Sequence, residues 1–295
     1  MFAKFIGQQE IKEDLVINIV SALTTVQPLD HTVFYGPPGL GKTTISEMIA
    51  DIMLVKIWQQ TGQELKKEKL YEIYERIAFR DILFIDEMHA VDTKTCEILY
   101  GPMQIINNLK LSKITEAKFI WEGKYINPFT VIGATTSAGD IAKPMRDRMV
   151  LSYQLRPYSI ANLKEILTDK GCPKESANII SERARGVPRT ALNYFLRIRN
   201  QAIYEEKITL DHCFELFNRI GVNNEGFLQT DLDILIYLLE NGNASEAELF
   251  RSIGIDRADY SNMYEPFLLQ NKMIRITSKG RSLTKKGIEY IQRCS

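Results

Sequence analysis

Cysteine is scarce in this chain. The four that occur, Cys96, Cys172, Cys213 and Cys294, lie far apart with no paired spacing. That pattern excludes a disulfide framework and a Cys-rich zinc site. It leaves free thiols in a reducing compartment, so a cytoplasmic location is expected. Neither sign of charge is in surplus, with 37 Lys plus Arg against 37 Asp plus Glu. Whole-chain electrostatics therefore argue neither for nor against nucleic acid, and local distribution must decide. Long hydrophobic runs are missing as well. No stretch approaches the ~18 apolar residues that span a bilayer, and Met1-Phe2-Ala3-Lys4 runs into a patterned segment without signal-peptide organisation. No membrane partner is expected. Internal repeats and low-complexity tracts are also absent.

What is present has the composition of an ordinary globular protein, 45% hydrophobic and 25% charged. At 295 residues the chain exceeds what one core usually supports, so two or three domains are expected. The first half alternates short β-rich runs with helical patterns, which predicts an α/β fold with a mostly parallel sheet. Thr32–Tyr35, Ile82–Ile85 and Phe129–Ile132 are the buried-strand candidates, continuous in apolar character as a covered parallel sheet requires. Helical patterns fall at Thr44 to Leu54 and Gln63 to Arg76. From about Tyr153 the strand signals stop and helical periodicity takes over. A polar stretch, Gly221-Val222-Asn223-Asn224-Glu225-Gly226, marks a further boundary. Three helices and a β-hairpin then follow, the order of a winged-helix module. The expected division is 1–152, 153–224 and 225–295.

Gly36-Pro37-Pro38-Gly39-Leu40-Gly41-Lys42-Thr43 satisfies the P-loop pattern in its required context, after a strand and before a helix. Backbone N–H groups there, continuing through Thr44, cradle the phosphates of ATP or ADP. Lys42 reaches the β- and γ-phosphates, and Thr43 offers a hydroxyl to Mg²⁺. Asp86-Glu87 closes the second strand candidate. Asp86 would hold Mg²⁺ through its hydration shell, and Glu87 would act as general base on the attacking water. The Glu predicts hydrolysis rather than mere binding. A third strand ending in Gly133-Ala134-Thr135-Thr136 places a hydroxyl where ligands of such sheets sit, although Ser and Thr at strand ends commonly just cap the next turn.

Together with Phe5-Ile6-Gly7-Gln8, Leu83-Phe84-Ile85-Asp86-Glu87-Met88-His89, Met145-Arg146-Asp147-Arg148, Arg183-Ala184-Arg185-Gly186-Val187-Pro188-Arg189 and Tyr264-Glu265-Pro266-Phe267-Leu268, these segments resemble the RuvB family. Its members are AAA+ ATPases that drive branch migration of Holliday junctions. The resemblance covers essentially the whole chain and implies an ATPase domain, a helical lid domain and a winged-helix domain. It implies that Thr136 is sensor 1 and Arg189 sensor 2. Arg148 falls at the arginine finger that completes a neighbouring subunit's site, with Arg146 close enough to serve instead. Phe5 and Ile6 match the wall of the adenine pocket, and Tyr158 an adenine-packing aromatic. A homo-hexamer around duplex or four-way junction DNA and a RuvA-like partner are further implications.

Two departures from the family stand out. Its Arg-Pro-Gly-Asp motif is missing from Ile57 to Phe79. The partner-binding hairpin has a different tip, within Ile114-Thr115-Glu116-Ala117-Lys118-Phe119-Ile120-Trp121-Glu122-Gly123-Lys124-Tyr125-Ile126. Charge is segregated near the C-terminus. Asp231 to Glu265 holds eight acids and two arginines, while Lys272 to Lys286 holds six basic residues and no acid. Arg275, Lys279 and Arg281 are therefore the candidate DNA contacts, through phosphates rather than base edges. Two rival readings remain: a clamp-loader or helicase-loader ATPase, and a non-catalytic regulator switched by ATP.

Overall fold

The computed structural model describes residues 1–111, 118–204 and 208–294. The backbone divides into two compact units. One is Met1–Gly36 with Leu40–Arg156, and the other is Pro157–Ser295 together with Pro37–Gly39.

In the first unit, α1 (Gln9–Thr24) leads to β1 (Thr32–Tyr35), and α2 (Lys42–Met53) leads to β2 (Ile57–Thr61). Next come α3 (Lys67–Arg76), β3 (Ile82–Asp86), α4 (Thr93–Leu111) and a hairpin, β4 (Phe119–Trp121) with β5 (Lys124–Ile126). β6 (Thr130–Thr135), the short α5 (Lys143–Arg146) and β7 (Leu151–Gln154) complete it. Five strands form one sheet in the order β2-β3-β6-β1-β7, every pair parallel.

The three strands expected from sequence are the central ones. β3 is buried from Ile82 to Ile85 and β6 throughout, so both faces demand apolar side chains and the run is continuous. The sequence reading missed β2 and β7. Both lie at sheet edges with only partial burial, and β2 carries Gln59-Gln60 where water reaches one side. Leu83, Ile85 and Val131 pack with Leu99, Met103 and Tyr74 from the covering helices. Each such side chain contributes ~1.5–3 kcal/mol on burial. The hairpin is pinned by Trp121, whose ring leaves no room for a Cβ at Gly101 of α4, while Ile120 and Tyr125 remain exposed. Residues 114–117 of the expected hairpin lie outside the described residues.

His31, fully buried, accepts the Val131 N–H at Nδ1, 2.9 Å away, and so ties the start of β1 to β6. Burial, assisted by the Lys110 ammonium, lowers its pKa to about 3. Below pH ~6.5 the unfolded chain therefore gains a proton that the folded chain refuses. Stability from this residue is full above that pH and falls by about 1.4 kcal/mol per pH unit toward 3. Urea midpoints at pH 7 and pH 5 should differ less in His31→Gln than in wild type. Equal differences would refute the assignment.

The second unit begins with α6 (Ile160–Asp169), α7 (Lys174–Arg183), α8 (Pro188–Gln201) and α9 (Leu210–Arg219), around Leu163, Ile180, Ile198 and Phe217. Ser159 caps α6 by accepting the Asn162 N–H, which satisfies a donor with no partner inside the helix. A second cluster, including Leu235, Leu249, Tyr260, Leu268 and Ile274, gathers the later elements. These are α10 (Gln229–Asn241), α11 (Glu246–Ile253), α12 (Arg257–Asp259), α13 (Glu265–Gln270), β8 (Ile274–Thr277), β9 (Gly280–Leu283) and α14 (Lys285–Cys294). The sequence predicts one helix from Asp259 to Gln270, but a π-helical turn at Tyr260–Tyr264 interrupts it. Pro266 supplies the cause. It has no N–H to donate, and its ring crowds the carbonyl four residues earlier, so the ladder is reset there. Among the described residues no helix is long and apolar enough to cross a membrane.

Candidate active site

Parallel strands send their carboxyl ends to one edge, and the register sets what meets there. Tyr35 of β1 pairs with Thr135 of β6, and Ile85 of β3 pairs with Gly133. The P-loop, the Thr135-Thr136 step and Asp86-Glu87 therefore emerge from three adjacent strands, with the P-loop strand between β6 and β7. Such a crevice at the carboxyl ends is where open α/β sheets bind ligands.

Gly36 has φ +134, and a Cβ there would stand 2.5 Å from the Leu155 carbonyl oxygen, so only glycine permits the turn out of β1. Its N–H donates to the Thr135 carbonyl, 3.2 Å away. Gly41, at φ +97, precedes the first turn of α2. That turn presents the N–H groups of Lys42, Thr43 and Thr44, an anion site by geometry and dipole. Lys42 is buried and donates from Nζ to the Gly36 carbonyl at 2.7 Å, so its ammonium is folded over the loop it serves.

Asp86 Oδ1 accepts the Glu87 N–H at 3.0 Å. Glu87 sits in the left-handed region at φ +46, a conformation that costs a non-glycine residue on the order of 1 kcal/mol and is common at functional sites. Its Oε2 is buried and accepts no hydrogen bond. His89 Nδ1 stands 3.3 Å from that oxygen but shares its hydrogen bond with Thr135 Oγ1 at 2.8 Å. Thr135 Oγ1 also accepts the Ser137 N–H at 3.0 Å. Sequence reasoning assigned no role to His89 or Thr135. The Asp-Glu-Met-His run was visible, but its reach to β6 depends on strand order. Thr136, the next residue, is half-buried.

Arg148 is half-buried. Its Nε donates to the Tyr100 carbonyl at 3.0 Å, Nη1 donates to the Pro144 carbonyl at 2.7 Å, and the guanidinium lies 5.0 Å from the Tyr100 ring centre. Arg146 is exposed. Phe5 is buried and Ile6 half-buried in the first unit, where Lys12 Nζ holds the Phe5 carbonyl at 2.8 Å. In the second unit Tyr158 is buried, with its N–H on the Gly186 carbonyl at 2.8 Å. Arg189 lies in the first turn of α8 and is exposed. Its N–H donates to the carbonyl of Gly39, in the P-loop tip that groups with this unit, at 3.3 Å.

Residues 1–155 match the family described as the Holliday junction DNA helicase RuvB P-loop domain, and residues 224–292 match the RuvB C-terminal winged helix domain. The chain belongs to the RuvB family. It is 36% identical over 300 residues to the Holliday junction branch migration complex subunit RuvB of Helicobacter pylori strain G27, covering 97% of this chain and 88% of that one. Identity to the corresponding subunit of Mycoplasma genitalium is 33% over 304 residues, covering 98% and 96%. Among solved structures, the Thermotoga maritima RuvB Holliday junction branch migration motor matches with a TM-score of 0.83 at 28% identity, covering 99% and 96%. As a RuvB family member the chain is a P-loop ATPase that binds nucleotide.

The RuvB winged-helix region separates its three candidate DNA contacts. Lys279, in the turn between β8 and β9, and Arg275 on β8 are exposed. Arg281 is not. Its Nε donates to Glu265 Oε1 at 2.5 Å and Nη2 to Glu246 Oε2 at 3.2 Å, and its side chain is only 16% exposed. Those carboxylates raise its already high pKa, the hydrogen bond that Arg281 donates to Glu265 being the largest cause. The charge that sequence segregation offered to DNA is here neutralised within the fold.

Proposed function

We propose that this chain is an ATP-driven DNA motor that moves Holliday junctions during recombination and repair, working in the cytoplasm as a homo-hexameric ring around duplex DNA. Glu87 carries the reading. A carboxylate oxygen without a hydrogen-bond partner, at the carboxyl end of β3, which one strand, β6, separates from the P-loop strand, suits abstraction of a proton from water attacking the γ-phosphate. Lys42 exchanges its Gly36 carbonyl for phosphate oxygens and, with the N–H groups of Thr43 and Thr44, orients the triphosphate. Thr43 and Asp86 offer hard oxygens of the kind Mg²⁺ takes. When bound there, Mg²⁺ would neutralise charge on the β- and γ-phosphates. Thr136 as sensor 1 faces the γ-phosphate, and Arg189 as sensor 2 reports nucleotide state. Phe5 and Ile6 wall the adenine. Arg148 serves the neighbouring subunit.

The second unit then comprises a helical lid and a winged helix, with the division near residue 224, and the wing follows the DNA backbone. Lys279 and Arg275 make the phosphate contacts. Arg281 acts at one remove, holding the hairpin against Glu246 and Glu265. Lys279→Ala and Arg275→Ala should each lower the slope of log affinity for duplex against log salt by about 1, uniformly across sequences. An unchanged slope would remove those residues from the interface.

The deciding experiment is branch migration on a synthetic four-way junction with Mg²⁺ and ATP, with and without a RuvA-like junction-binding protein. Product strands formed only when ATP is hydrolysed support the motor. Turnover without junction movement in either arm would instead favour a loader ATPase.

A further inference from the structure

The segment Arg185-Gly186-Val187-Pro188-Arg189 joins two distant features of the second unit. At one end, Arg189 and Val187 close on the P-loop tip, where a Cβ at Gly39 would stand 2.9 Å from both Arg189 Cβ and Val187 Cγ1. At the other end, the Arg185 guanidinium is buried among groups from the last third of the chain. Its Nη2 bonds the Asp231 carboxylate, Nε donates to the Gly226 carbonyl at 2.8 Å, and its carbon lies 4.3 Å from the centre of the Phe267 ring. The two paired side chains are 8% and 0% exposed. Asp231 also accepts the Leu228 N–H at 2.7 Å, so the same carboxylate closes the first turn of α10. Nearby, Arg183 bonds Asn224, and Asn223 donates to the Tyr290 hydroxyl of α14 at 2.7 Å.

We infer that Arg185 and Asp231 form a rigid joint through which nucleotide state, read at the P-loop tip, is transmitted to the winged helix. Both are positioning residues; neither touches ATP or DNA. A planar guanidinium held by a carboxylate, a carbonyl and a ring face fixes direction as well as distance, which a Lys could not do. Neither charge can leave its partner without facing a dry interior, so the joint has no soft intermediate positions. A flexible tether would allow the wing to lag behind the lid; this contact makes them turn together. The inference rests on the motor reading above.

The test compares phosphate release and junction movement in the full-length chain, as junctions moved per ATP. Arg185→Gln, Asp231→Asn and the double variant should keep ATPase activity and duplex affinity within about twofold, since the two side chains bond each other, Gly226 and Leu228 rather than the P-loop or Lys279 and Arg275. Junctions moved per ATP should fall about tenfold or more, because a small misplacement far from the chemistry is enough. Arg185→Lys, which keeps the charge but not the geometry, should fall between. If a lone buried charge prevents the single variants from folding, the double variant, which leaves none, gives the answer. Asp231→Glu gives it by the same criterion if the double also melts too low to assay. An unchanged ratio, with ATPase and movement intact or falling in parallel, overturns the joint and leaves a stabilising contact. A wild type that hydrolyses ATP without moving junctions overturns the motor reading, and the joint with it.

Discussion

Protein carrying Glu87→Gln should bind ATP as the wild type does and release phosphate ~10²–10⁴-fold more slowly, the usual contribution of a positioned general base. The substitution is isosteric, so the left-handed backbone at this position and the bond from its N–H to Asp86 Oδ1 are kept. Only the basicity of an oxygen that accepts no hydrogen bond within the protein is lost. The expected phenotype is a complex that holds ATP, and duplex, without turnover. Stopped-flow phosphate release beside equilibrium binding of a fluorescent ATP analogue separates the two properties. Turnover within about tenfold of wild type would move the base elsewhere and revive the ATP-switched regulator.

Mixing two inactive proteins should restore activity. Arg148→Ala alone should lose ~10³–10⁵ in rate, the range of an arginine finger, and Lys42→Ala should lose its grip on the triphosphate. In a ring with head-to-tail contacts, random assembly of the two gives about one interface in four with an intact P-loop facing an intact arginine. The Arg148 guanidinium must first leave the carbonyls of Tyr100 and Pro144. Two such hydrogen bonds cost about 2 kcal/mol net, whereas a rate effect of this size corresponds to ~4–7 kcal/mol, so the transfer is favourable. ATPase assays across mixing ratios check this. A flat response at every ratio would mean that each site is complete within one subunit, whereas an Arg148→Ala protein that keeps its activity would make Arg146, exposed at the end of α5, the finger.

Part of the candidate site was legible in the sequence itself. The P-loop and the Asp-Glu pair are contiguous in sequence, and their chemistry restricts residue type at each position. The central strands were legible for a related reason, since burial on both faces forces an unbroken apolar run. The edge strands β2 and β7 were not, because half-wetted positions accept Gln59, Gln60 and Ser152 without penalty. His89 escaped notice because its partner lies 46 residues away, brought near only by the adjacency of β3 and β6. Arg281 misled for the opposite reason. A run of basic residues looks like an electrostatic surface, but the two glutamates that neutralise it, Glu246 and Glu265, lie in an acidic stretch earlier in the chain.

Because all five strands run the same way, the loops before them and the loops after them emerge from opposite rims. The proposed chemistry belongs to one rim, so mutations accepted on the other, or at the start of the outermost strand β2, whose far end pairs Thr61 with Asp86, stand apart from it. The stretch from Ile57 to Phe79, where this chain parts from its relatives' motif, opens on that outermost strand. A lineage changing hosts or accessory proteins could rewrite such a flank over many generations while inheriting its engine unaltered.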